Sequence, residues 1–88
     1  FCSYDQMAIG AIHALRESGK SVPADVAVIG FDNIAVSRYV EGGITTIANP
    51  YDDMVSIAVN VLTKRAHNRQ SSRQQIALRP KLIVRATT

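Results

Sequence analysis

The 88-residue chain has one cysteine, no apolar run longer than four residues, no acid after Asp53 and no aromatic after Tyr51. Each shortage excludes something. Cys2 alone can form no disulfide within the chain, and no Cys/His spacing matches a zinc site, so no metal is expected. Four apolar residues fall far short of the roughly 20 that a membrane helix needs, so no membrane span is predicted. The two histidines, His13 and His67, fall mid-helix and at a helix end in the reading below, neither of them a place that implies catalysis. Gly42 and Gly43 lack the following Lys and Ser/Thr of a phosphate loop. The adjacent carboxylates Asp52 and Asp53 are accounted for by a helix N-terminus. Neither enzyme chemistry nor a cofactor is expected.

What is present belongs to an ordinary globular protein: 47% hydrophobic residues and a mean hydropathy of +0.04. The net charge of +3 conceals a division. Residues 1–60 hold three Lys/Arg against seven Asp/Glu, whereas residues 61–88 hold seven Lys/Arg and no acid. A nucleic-acid surface would interleave such a basic tail with aromatics, and none is there, so solvation of a helix end and a loop is the better account. A chain of this size buries only about 60% of the surface its unfolded form exposes. It begins at Phe1 and reads strand, helix, strand within 30 residues, which predicts a piece of something longer. By itself it is expected to be weakly stable or to self-associate.

The organising stretch is Val26-Ala27-Val28-Ile29-Gly30, a predicted central strand covered on both faces, which delivers Phe31-Asp32-Asn33 to an edge. Upstream, Phe1-Cys2-Ser3 suits the end of another strand. Ser3 and Asp5 are N-cap types, Ser3 with Gln6 has capping-box spacing, and Met7, Ala8, Ala11, Ile12 and Leu15 share a helical face. A helix over 6–18 follows, with a second apolar patch at Ile9 and His13. After the turn at Pro23, the two strands and the helix make a βαβ unit with parallel strands.

Beyond Asn33, residues 34–39 could form a short helix and 41–43 a flexible turn. Ile44-Thr45-Thr46-Ile47 is a strand by its β-branched run. Asn49 as N-cap, Pro50 at N1 and the two aspartates start a helix that should end near residue 67, among Lys64, Arg65 and His67. Residues 68–74 read as an exposed loop, with strand-like segments at 75–78 and 81–85 flanking Pro80.

The carboxyl rim carries the chemistry. Tyr4, Asp32 and Asn33 are expected on one edge, where open α/β sheets bind ligands. A carboxylate can accept hydrogen bonds from sugar hydroxyls or ring N–H groups, and a tyrosine can stack on a sugar or base. The competing reading is that Asp32 or Asn33 merely caps the short helix; spacing leaves the two open.

Four segments in order resemble the LacI/GalR family of transcription regulators: Phe1-Cys2-Ser3-Tyr4-Asp5-Gln6-Met7-Ala8-Ile9-Gly10-Ala11, Val22 to Asn33, Ile44 to Ile47, and Pro80-Lys81-Leu82-Ile83-Val84-Arg85-Ala86-Thr87-Thr88. The resemblance implies the C-terminal part of a periplasmic-binding-protein-like (type I) effector domain, an α/β fold of two subdomains around a ligand cleft. It assigns residues 1–47 and 80–88 to the C-terminal subdomain and 48–79 to the N-terminal one, with crossings near Ala48-Asn49 and Arg79-Pro80. It further implies a small-molecule effector, a sugar or nucleoside, contacted by Asp32, Asn49 and the nearby Tyr51. Tyr4 stands where the family has a ligand-contacting Asn, so its contact is a stacking one or lost. Gly42-Gly43 replaces a pair that includes proline, which loosens that turn. The helix over 6–18 is implied to carry a homodimer interface with Ile9 and His13, joined by Tyr39. Operator DNA would be met only by residues upstream, in a cytoplasmic repressor. The alternative is a periplasmic sugar-binding protein of a transport system, with the same architecture and no DNA.

Overall fold

The computed structural model describes residues 1–70 and 72–88, so Ser71, in the predicted loop 68–74, lies outside the described residues. In chain order the elements are α1 (Asp5–Glu17), β1 (Ile29–Phe31), a 3-10 turn (Ala35–Arg38), β2 (Thr45–Ala48), α2 (Tyr51–His67) and β3 (Lys81–Ile83). They fall into two units, Phe1–Asn49 with Pro80–Thr88, and Pro50–Arg79.

In the first unit β2 is the central strand, parallel to β1 and antiparallel to β3, with Gly30 opposite Thr46 and Thr46 opposite Ile83. The predicted strand at 26–30 therefore starts late and lies beside the centre. The Val26 amide is spent on Ser21 O, closing the turn that Ser21 N and Asp25 Oδ2 begin, and the ladder is entered only at Val28, whose N–H goes to Thr87 O. Val26 is consequently exposed. Phe1-Cys2-Ser3 forms no strand; a single bond from Cys2 N to Ile29 O ties it alongside β1. The parallel pair is instead β1 and β2, crossing over through the 3-10 turn.

α1 buries Ala8 and Ile12 against Val28 and Ile44, with Ile9 and Leu15 half-buried at the margin. Each of the valine, isoleucine and leucine side chains contributes about 1.5–3 kcal/mol on full burial. Ile9 thus belongs partly to the chain's own core rather than to a separate patch. The capping box is not formed. Tyr4 is the N-cap, in extended backbone and without a side-chain bond, and the Asp5 carboxyl is directed to partners outside the helix. The turn at 41–43 is well held, against the expectation of a loose one: Glu41, Gly42 and Gly43 all have positive φ, Gly43 N bonds Val40 O, and Gly43 O accepts from Ala86 N. A Cβ on Gly43 would meet Arg85 Cδ at 2.6 Å, so glycine is required by the arginine beneath it.

The second unit consists of α2 and the segment after it. The helix begins at Tyr51 with Pro50, not Asn49, at the N-cap position, and runs to His67 with Asp52 and Asp53 in its first turn and Lys64, Arg65 and His67 in its last. This charge order favours the helix dipole. No α2 residue is buried. Residues 75–78 form no strand, since among the described residues this unit offers no strand to pair with. Ile76 and Leu78 instead line an apolar groove of about 270 Å³ with Met54, Ile57 and Val61. No helix is long and apolar enough to cross a membrane among the described residues.

Candidate functional site

The end of β1 is a left-handed turn built from non-glycine residues. Asp32 has φ +100° and Asn33 φ +53°. L residues avoid this region, at a cost of about 1–3 kcal/mol each, so the surroundings must hold it. Three successive amides do so. Asp32 N–H donates to Ile47 O at 2.8 Å, Asn33 N–H to Thr46 Oγ1 at 3.3 Å, and Ile34 N–H to Asp5 Oδ2 at 2.8 Å. The Asn33 side chain is fixed as well, its Oδ1 accepting from Arg85 Nη2 at 2.7 Å.

Neither Asp32 nor Asn33 caps the following turn. Its N-cap is Ile34, in extended backbone with no side-chain cap bond, so the capping account of these residues is overturned. The half-buried Asp32 carboxyl instead lies near Asn49, whose amide Nδ2 donates to Asp32 Oδ1 at 3.4 Å. That bond is long and therefore weak. Tyr4, about half exposed, precedes Asp5 and so stands in the chain next to the residue that binds the Ile34 amide.

Tyr51 opens α2 in the second unit. His13 sits exposed on α1 with Nε2 3.4 Å from Glu17 Oε1, an exposed pair worth little, and Tyr39 is 83% exposed.

Sequence reasoning missed the polar interior. Asp5 is fully buried, its Oδ1 accepting from Thr46 Oγ1 at 2.6 Å. Gly30 lies against it, and a Cβ there would overlap Asp5 Oδ1. Arg85 also donates to Ser37 Oγ and Ile44 O, and Thr87 Oγ1 accepts from Thr45 N while donating to Val28 O. An isolated glycine in a strand signals close approach of another group, and Gly30 was that signal.

A family profile described as a periplasmic binding protein-like domain matches residues 1–88. The chain belongs to that family. Within it, the similarity is to LacI/GalR regulators. The HTH-type transcriptional repressor PurR of Salmonella paratyphi B is 42% identical over 85 residues, covering 97% of this chain and 25% of that protein. A LacI family transcriptional regulator from Enterococcus faecalis V583, with bound ribose, superposes at a TM-score of 0.89 with 33% identity, over 97% of this chain and 32% of the other. The lac repressor dimer bound to operator and the anti-inducer ONPF gives 0.84 at 33% identity, over 98% of this chain and 30% of that one. The chain thus spans about a quarter of the length of the curated relatives it matches. The α/β class expected from the resemblance is the one observed, with an antiparallel third strand added to the parallel pair.

Proposed function

We propose that the chain is the effector-sensing part of a LacI-type transcriptional repressor, and that a small polar metabolite of the sugar or nucleoside class is bound at the rim beyond β1. The observation that carries this reading is the Asp32–Asn33 turn, two non-glycine residues held at positive φ at the carboxyl end of a parallel strand. Strained backbone kept in place by surrounding bonds marks functional positions more often than accidental ones. Asp32 accepts hydrogen bonds from ligand hydroxyl or N–H groups, Asn49 supplies a donor beside it, and Tyr4 offers a ring for stacking. Tyr51 belongs to the other unit, and the proposed site stands on the first unit alone.

Relatives that are repressors and regulators, one holding ribose, favour this over a periplasmic protein serving a transporter. The full-length protein would act in the cytoplasm as a homodimer, meeting operator DNA through residues outside this chain. His13 and Tyr39 provide the exposed side chains for contact with a second copy, beside Ile9.

Calorimetry with D-ribose and with adenosine on the full-length protein tests the site. Asp32→Ala should weaken whichever of the two binds by about tenfold or more, the size expected for hydrogen bonds to a charged group. Unchanged affinity would show that Asp32 is not an effector contact.

A further inference from the structure

We infer that Asp5 is a positioning residue for the effector contact, holding the backbone that presents Asp32 although its own carboxyl is sealed inside the unit. The inference rests on the reading of Asp32 given above.

Asp5 is the first residue of α1, one past the N-cap Tyr4, where the helix dipole alone favours a carboxylate. Both of its oxygens nevertheless reach other elements: Oδ2 accepts the Ile34 amide and Oδ1 the Thr46 hydroxyl. Thr46 Oγ1 in turn accepts the Asn33 amide. A hydroxyl has one proton, and with it committed to Asp5 the lone pairs of Thr46 are left for Asn33. Asp5 therefore supports two consecutive amides, one directly and one through Thr46, immediately after the residue proposed to touch the ligand. Gly30 supplies the room, since any side chain there would collide with Asp5 Oδ1. A carboxyl whose role was only to start α1 would need neither the glycine nor the threonine.

The test compares Asp5→Asn and Thr46→Val with the unsubstituted full-length protein, by residue-resolved amide hydrogen exchange and by D-ribose titration. Thr46→Val nearly keeps the side-chain volume and exchanges the hydroxyl for a methyl, so it decides the matter where a buried Asn at position 5 prevents folding. Exchange should accelerate about tenfold or more at Asn33 in Thr46→Val, where that amide loses its acceptor, and at Ile34 or Asn33 in Asp5→Asn, whose single amide oxygen can replace only one of the two carboxylate acceptors. The Lys20 amide, bonded to Leu15 O at the far end of α1, should be unaffected. Ribose affinity should fall by about tenfold while operator affinity holds. Unchanged exchange in both variants overturns the inference. So does accelerated exchange with intact ribose affinity, provided Asp32→Ala abolishes ribose binding; Asp5 is then structural only. Should Asp32→Ala itself leave ribose binding unchanged, the effector reading fails, and exchange alone decides whether Asp5 holds the turn.

Discussion

In the unit formed by Phe1–Asn49 and Pro80–Thr88, five polar or charged residues are fully buried beside four apolar ones, whereas in Pro50–Arg79 no residue of α2 is buried. The first unit is held by bonds between residues far apart in the chain, such as Thr87 to Val28 and Arg85 to Asn33. The second has local determinants: a proline at the N-cap, acids in the first turn, bases in the last. Local determinants suffice to write a helix, but they do not pack it. Most of a helix's stability in proteins comes from tertiary packing of its apolar face rather than from propensity. Long-range polar bonds in turn specify one arrangement, because each leaves a buried group unsatisfied if the register slips.

The comparison can be broken most sharply in the core. Ile12→Ala, at a position 2% exposed, should cost about 2–5 kcal/mol, whereas Leu62→Ala on α2, at 67% exposure, should cost the 88-residue chain less than about 1 kcal/mol. Urea unfolding of both variants measures the gap, and equal losses would erase the distinction between the units. Gly30→Ala ranks next. Its methyl must displace the Asp5 carboxyl, and a loss of about 1–3 kcal/mol is expected by the same assay. A neutral result would mean that the polar interior yields as easily as a surface. The smallest effect belongs to the ion pair between Arg16 Nη2 and Glu41 Oε2 at 2.6 Å, with Arg16 62% exposed. Arg16→Ala should cost about 0.2–1 kcal/mol and less still in high salt. A larger, salt-insensitive loss would place this pair with the buried network instead.

The same contrast governs what could be read in advance. α2 was legible nearly to the residue, from its charges and its spacing of apolar side chains. β2 was legible from its β-branched run, although Ile44 is a core residue just ahead of the strand rather than its first member. Asp5 was not, because an aspartate before a helical pattern is satisfied by local capping, and only the fold reveals that its carboxyl is claimed by Ile34 and Thr46. Asp32 and Asn33 were placed at the rim, but whether they capped the next turn depended on backbone angles that spacing does not carry. The apolar neighbours of Val26 predict its burial, yet the preceding turn takes its amide and leaves it outside the ladder.

The contact of Gly30, Asp5 and Thr46 also constrains how the sequence can drift. Their roles are interlocked: the glycine is empty space, the aspartate fills that space with two acceptors, and the threonine passes one of them onward. An alanine at 30 evicts the carboxyl, a valine at 46 strands one of its oxygens, and an alanine at 5 leaves both a hole and an unpaired hydroxyl. A lineage that changes any one of the three is expected to change a second soon after, so positions 25 and 16 residues apart should vary as a single character.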